Sequence, residues 1–82
     1  MIFTTPSGHS IEFFNNILGL ETVKYNGQVL SQKRTLFGGL HTFQVIEEGD
    51  QISYEIEVKT RWHGFGYYFN VRRNGVLFFN NK

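Results

Sequence analysis

The sequence predicts a small all-β protein, and three observations support this prediction. Gln51–Lys59 alternates polar and apolar residues strictly, which is typical of a strand with one buried face. Asn-Gly occurs at 26–27 and 74–75, and this dipeptide favours tight type I′ turns because both positions tolerate positive φ. No window keeps apolar residues at helical spacing. A chain of 82 residues has the length of one domain, so we expect residues 1–82 to form an antiparallel meander that closes as a small β-sandwich or flattened barrel.

Turn signals divide the chain into eight short strands. Pro6-Ser7-Gly8 separates the first two strands, Gly38-Gly39 precedes the fifth, Glu48-Gly49 follows it, and 60–66 precedes the seventh. The two Asn-Gly turns separate the third strand from the fourth and the seventh strand from the eighth. The predicted strands span about residues 2–5, 10–14, 21–25, 28–36, 40–47, 51–59, 66–73 and 76–80.

The turn at Glu48-Gly49 sets the register of the fifth and sixth strands. It pairs Phe43 with Tyr54 and His41 with Ile56, whereas a slip of one residue would lose most of the apolar pairs. This register predicts that His41 points toward the core.

The two Asn-Gly hairpins have similar flanks, Val-Lys-Tyr-Asn-Gly and Val-Arg-Arg-Asn-Gly. We interpret the likeness as shared hairpin chemistry rather than as a repeat. Regular two-residue turns would place Val23 opposite Leu30 and Val71 opposite Phe78.

The same register gives the last hairpin an apolar outer face, because it places Leu77 opposite Arg72 and Phe79 opposite Asn70. Such a face is either covered within the fold or exposed as an interface. In the second case it predicts a protein partner, which includes a second copy of this chain, and a homodimer. The candidate partner surface consists of Trp62, His63, Tyr68, Leu77 and Phe79.

Charge excludes some partners. The formal net charge is +1, too small to hold the chain on nucleic acid or an acidic membrane. The acidic residues between 47 and 57 precede a basic block at 59–82, and on adjacent strands the two blocks would largely neutralise each other. No apolar run reaches the ~18 residues of a membrane span, and the N-terminus lacks the pattern of a signal peptide. We expect a soluble cytoplasmic protein.

Catalytic and metal-binding patterns are not found in the sequence. Cysteine is absent, and the single aspartate, Asp50, lies in a turn. The carboxylates of Glu55 and Glu57 share a strand face that we expect to be solvated. The histidines, at 9, 41 and 63, have no ligand spacing between them. The prediction is a protein with no enzymatic activity, metal or cofactor.

An alternative function rests on His63–Tyr68, which is similar to an RNA-binding strand pattern of alternating glycine and aromatic residues. The fold of that motif requires two helices that this sequence does not predict, and Asn70 replaces the second aromatic residue. An OB-like barrel that binds single-stranded nucleic acid remains the alternative. Its candidate surface consists of Lys59, Arg61, Trp62, Arg72 and Arg73.

Several segments resemble a domain of the Fas apoptotic inhibitory molecule family. They are His9-Ser10-Ile11-Glu12-Phe13, the run from Val23 to Gln28, the run from Gly39 to Val45, and Gly64-Phe65-Gly66-Tyr67 ahead of Asn74-Gly75. The resemblance implies an antiparallel β-sandwich without cofactor or catalytic residues. It also implies action through protein contacts, since larger members are linked to protection against death-receptor signalling and protein aggregation. Those members carry two β domains, whereas this chain has one. We therefore expect a protein-interaction module.

Overall fold

The chain is all-β in the part that the structure describes. The computed structural model describes residues 1–16, 18–34, 38–60 and 66–80. These ranges contain no helix and eight strands, each within two residues of its predicted bounds. The strands are β1 (Ile2–Thr4), β2 (Ser10–Asn15), β3 (Leu20–Tyr25), β4 (Gln28–Arg34), β5 (Leu40–Glu47), β6 (Asp50–Thr60), β7 (Tyr67–Arg73) and β8 (Val76–Asn80).

The strands form two four-stranded antiparallel sheets. One sheet has the order β1-β2-β3-β4 and the other the order β5-β6-β7-β8. Each sheet belongs to its own compact unit, residues 1–36 and 37–82. The all-β prediction is confirmed, and within each sheet consecutive strands are neighbours, as in the predicted antiparallel meander.

The N-terminal unit buries one face of its sheet. Phe3, Ile11, Phe13, Val23 and Tyr25 are all at most 8% exposed. On β1 and β2 they alternate with exposed or half-buried residues, because successive side chains of a strand point to opposite faces. On β3 the alternation is incomplete, since Thr22, next to Val23, is also buried. The apolar core of this unit nevertheless follows a period of two.

The C-terminal unit has the predicted register between β5 and β6. Phe43 pairs with Tyr54 and His41 with Ile56. The Phe43 and Tyr54 rings stack with centroids 5.5 Å apart. His41 is fully buried, which confirms that its side chain points inward.

The registers predicted for the Asn-Gly hairpins are wrong beyond two residue pairs. In each hairpin a β-bulge inserts one extra residue, so Val23 pairs with Ser31 instead of Leu30 and Val71 pairs with Phe79 instead of Phe78. Consequently Asn70 lies opposite Asn80 rather than Phe79. A bulge adds a residue without changing the turn, so the turn sequence gives no sign of it.

The second bulge moves a large apolar side chain to the buried face. Phe79 lies opposite Val71, which is fully buried, and Phe78 contacts the buried ring of Tyr54 edge-on at 6.2 Å between centroids. Both phenylalanines therefore lie on the inner face, and Leu77 remains on the outer face opposite Arg72.

The two units follow one four-strand pattern. In each unit the asparagine of the tight turn makes two hydrogen bonds with a serine on the second strand; the pairs are Asn26 with Ser10 and Asn74 with Ser53. The asparagine backbone N–H donates to the serine carbonyl at 2.8 Å. The serine N–H donates to the asparagine side-chain oxygen at 2.9 Å. When these two serines are aligned, residue pairs at the same positions have the same character in both units. The N-terminal unit has the pairs Phe3–Ile11, Glu12–Lys24 and Phe13–Val23. The C-terminal unit has, in the same order, Phe43–Tyr54, Glu55–Arg72 and Ile56–Val71. The likeness extends over all four strands, so shared hairpin chemistry accounts for only part of it.

Candidate functional site

The outer face of the C-terminal sheet carries a ladder of ion pairs. Arg72 lies opposite Glu55, and its two terminal nitrogens are 3.6 Å from Glu55 and 3.7 Å from Glu57. Lys59 Nζ is 3.8 Å from Glu57. The acidic and basic blocks of the sequence thus meet on β6 and β7. Their charges balance locally, and ion pairs that remain partly exposed to solvent contribute little to stability.

Glu57 receives the most interactions in this ladder. The side-chain amide of Asn70 donates a hydrogen bond to Glu57 at 3.1 Å, and this bond is the main reason that the pKa of Glu57 lies below its ordinary value. Partial burial opposes the shift, whereas Lys59 and Arg72 add to it. Glu57 is therefore ionised and engaged, which does not suit it to acid-base catalysis.

A buried polar cluster lies on the inner face of the same sheet. The Tyr54 hydroxyl donates to Glu47 Oε2 at 2.7 Å, and Arg73 donates from Nη2 to Glu47 Oε1 at 2.9 Å and from Nε to the Tyr54 oxygen at 3.2 Å. The Glu47 side chain is 1% exposed. The bonds to Glu47, and then to Tyr54, raise the pKa of Arg73, which keeps its guanidinium charged. This cluster, the Glu47–Tyr54–Arg73 cluster, is satisfied within the sheet, as a buried charge requires.

Sequence reasoning missed this cluster, although its signal was present. On β5, Glu47 lies an even number of residues from the buried His41 and Phe43, so its side chain points to the same inner face. On β7, Arg73 lies two residues from the buried Val71 and therefore also points inward. Two opposite charges at inward positions of strands that flank Tyr54 indicate a buried pair.

The residues of the candidate partner surface do not form one patch. Leu77 lies on the outer face, opposite Arg72, and Tyr68 lies on the same face, opposite Lys59. Phe79 lies on the inner face. Trp62 and His63 lie outside the described residues. The reason for the separation is the bulge in β8, which reverses the phase of Phe79.

The candidate nucleic-acid surface is divided as well. Lys59 and Arg72 engage Glu57, whereas Arg73 belongs to the inner cluster. Arg61 and Trp62 lie outside the described residues. An OB-fold is a five-stranded Greek-key barrel, whereas the described strands form two four-stranded meanders.

The histidines show no sign of metal binding where the structure describes them. Asn26 Nδ2 is 2.9 Å from His9 Nδ1, and the His9 ring lies 5.4 Å from that of Tyr25. His41 is buried, and His63 lies outside the described residues. Residues 1–16, 18–34, 38–60 and 66–80 contain no group of three or more potential metal-ligating side chains. No helix within the same ranges could cross a membrane.

Exposed apolar side chains lie on both edge strands of the C-terminal sheet. On β5, Leu40 is 43% exposed and Ile46 is 69% exposed. On β8, Val76 is 68% exposed and Leu77 is 51% exposed. Edge strands that carry aliphatic side chains instead of charges are typical sites of strand or protein association.

Comparison of the chain with protein-family models, with curated proteins and with solved structures found no match.

Proposed function

We propose that this chain is a non-enzymatic protein-interaction module of the cytoplasm, similar to a domain of the Fas apoptotic inhibitory molecule family, and that its partners include a second copy of itself. The proposal draws on the resemblance in sequence and on the two-sheet antiparallel fold. A fold alone does not specify a function, so the argument depends on the surface.

The observation that carries the proposal is the character of the two edge strands of the C-terminal sheet. Leu40–Ile46 and Val76–Asn80 contain no Lys, Arg, Asp, Glu or Pro, the residues with which soluble proteins commonly protect sheet edges. Both edges expose aliphatic side chains instead. Contact with another protein would remove this apolar surface from water.

The distribution of charge favours a protein partner over nucleic acid. The ladder on the outer face contains both carboxylates and bases, so phosphates that approach Arg72 also meet Glu55 and Glu57. A nucleic-acid surface requires bases that can release counterions from phosphates. Bases already paired with carboxylates would gain less from such contacts.

Static and dynamic light scattering over a concentration series will test the proposal. We expect a mass that rises from the 9.6 kDa monomer toward twice that value with concentration. From the sequence alone we expect the last hairpin, with Tyr68, Leu77 and Phe79, near the contact, and Leu77→Lys tests this expectation against a contact at the other edge strand, β5. A monomer at millimolar concentration would remove self-association from the proposal, and capture of defined partners from the native host would then have to carry it.

A further inference from the structure

We propose that two copies of the chain join through the outer edge of β5, antiparallel and in a register that places Leu40 opposite Ile46 of the second copy. This inference deepens the proposed function and depends on it. It specifies the partner as a second copy of the chain and the mode of contact as strand addition to a sheet edge.

Among the four edge strands of the two described sheets, β5 is the best suited to accept another strand. β1 has three residues, and β4 ends in Lys33-Arg34 and carries a bulge. β8 is also bulged, which twists a strand and interrupts its ladder. β5 pairs with β6 without interruption over eight residue pairs, and its one charged residue, Glu47, is buried in the Glu47–Tyr54–Arg73 cluster.

The backbone of β5 presents alternate residues to its outer edge. Val58 N–H donates to the Gly39 carbonyl at 2.8 Å, so Gly39 and the residues in phase with it direct their backbone groups toward β6. The residues between them, which include Thr42, Gln44 and Ile46, direct their backbone N–H and C=O groups away from β6. No described strand pairs with β5 on that side.

One register of two antiparallel β5 strands satisfies both the backbone and the side chains. A two-fold axis at Phe43 pairs Thr42 of each chain with Gln44 of the other, and these are the residues whose backbone groups point to the edge. The same axis pairs Leu40 with Ile46 on the outer face. An interface of this symmetry repeats every contact twice, so all four exposed aliphatic side chains meet a counterpart.

Charge does not oppose this arrangement, because Leu40–Ile46 contains no ionisable side chain except the buried His41. The contact is confined to one strand from each chain, so it is small beside a standard interface of about 1,600 Å². We therefore expect self-association that depends on concentration and is reversible.

Cysteine cross-linking tests the register, since the natural chain has no cysteine. Hydrogen-bonded partners of antiparallel strands have Cα atoms about 5.5 Å apart, within disulfide range. We expect a mixture of Thr42→Cys and Gln44→Cys proteins to form disulfide-linked heterodimers under mild oxidation. Each variant alone should cross-link poorly, because identical positions would lie about 9 Å apart across the axis.

Ile46→Lys and Leu77→Lys form a matched pair that tests the edge. Both replace an exposed aliphatic residue of an edge strand with a cation, so both variants should fold, as far-UV circular dichroism will check. We expect Ile46→Lys to weaken self-association about tenfold or more and Leu77→Lys to leave it unchanged.

The outcomes separate the inference from the proposed function. If the chain self-associates and Leu77→Lys disrupts it while Ile46→Lys does not, the β5 contact is wrong and the proposed function stands. Self-association without the mixed Thr42–Gln44 cross-link likewise overturns the register. A wild-type chain that stays monomeric at millimolar concentration overturns the β5 contact together with the self-association on which it depends.

Discussion

The Glu47–Tyr54–Arg73 cluster makes a specific prediction for stability. Glu47→Gln keeps the shape of the side chain but leaves a single acceptor oxygen where the carboxylate has two. Glu47 receives one hydrogen bond from Tyr54 at 2.7 Å and one from Arg73 at 2.9 Å, so one donor must lose its acceptor. Because a hydrogen bond to a buried charge contributes about 1.5 to 3 kcal/mol and an orphaned donor costs more, we expect a loss of about 3 kcal/mol.

Glu55→Gln is the matched control. Glu55 also faces an arginine, but its side chain is 39% exposed and its oxygen lies 3.6 Å from Arg72. Water can replace that partner, so the loss should stay below about 1 kcal/mol. The difference between the two variants isolates the effect of burial from the effect of the charge itself.

A double-mutant cycle with Tyr54→Phe attributes the loss to the cluster. Tyr54→Phe removes the hydroxyl and retains the ring, which stacks on Phe43. If the hydroxyl and the Glu47 carboxylate act together, the loss in the double variant will be smaller than the sum of the single losses by about 1 kcal/mol or more.

Urea denaturation followed by far-UV circular dichroism gives these free energies, and thermal unfolding provides a second measurement. A loss of about 3 kcal/mol should lower the midpoint temperature of a chain this size by roughly 12 to 24 °C. Equal losses for Glu47→Gln and Glu55→Gln, or strict additivity with Tyr54→Phe, would refute the reasoning.

Four further predictions concern the turn, the core, pH and nucleic acid. Gly75 has a φ of 82° and open space around its α-carbon, so Gly75→Val should cost about 1 to 2 kcal/mol through backbone strain alone, measured by urea denaturation. Ile56→Ala should cost about 2 to 5 kcal/mol because Ile56 is fully buried, whereas Glu57→Ala should cost less than about 1 kcal/mol, and equal losses would contradict the assignment of faces. Because the pKa of Glu57 is lowered in the folded state, ionised Glu57 stabilises the fold at pH values above 4.5, its ordinary pKa, and this contribution should disappear as pH falls through the folded pKa. The urea midpoint should therefore depend less on pH in Asn70→Ala than in the natural chain, since the bond from Asn70 is the main cause of the lowered pKa. Titration with single-stranded DNA and RNA should show at most weak association, the same for any sequence and lost near physiological salt, because log K falls by about 0.7 per phosphate contact for each unit of log salt.

The sequence by itself predicted the strands and most of the core. Alternation of apolar and polar residues along 51–59 assigned Ile56 to the core and Glu55 to the outer face, and the structure confirms both positions. The Glu48-Gly49 turn gave the register of β5 and β6. These features are local, since a period of two and a tight turn depend on neighbouring residues alone.

The registers beyond the Asn-Gly turns could not be predicted in the same way. Each bulge lies just beyond the second residue pair from its turn, and the turn residues carry no information on it. The extra residue in β8 brings Phe79 opposite Val71, and the apolar face expected to hold Tyr68, Leu77 and Phe79 together is divided.

The sequence alone therefore determined the fold class, the strand order and the alternating faces, because these follow from local periodicity and turn chemistry. Tertiary structure decided the bulges, the meeting of Glu47 with Arg73, and the equivalence of the two four-strand units. Glu47 and Arg73 are brought together by the pairing of two different strands with β6. Contacts between residues far apart in the chain depend on register and packing, which no short segment of sequence contains.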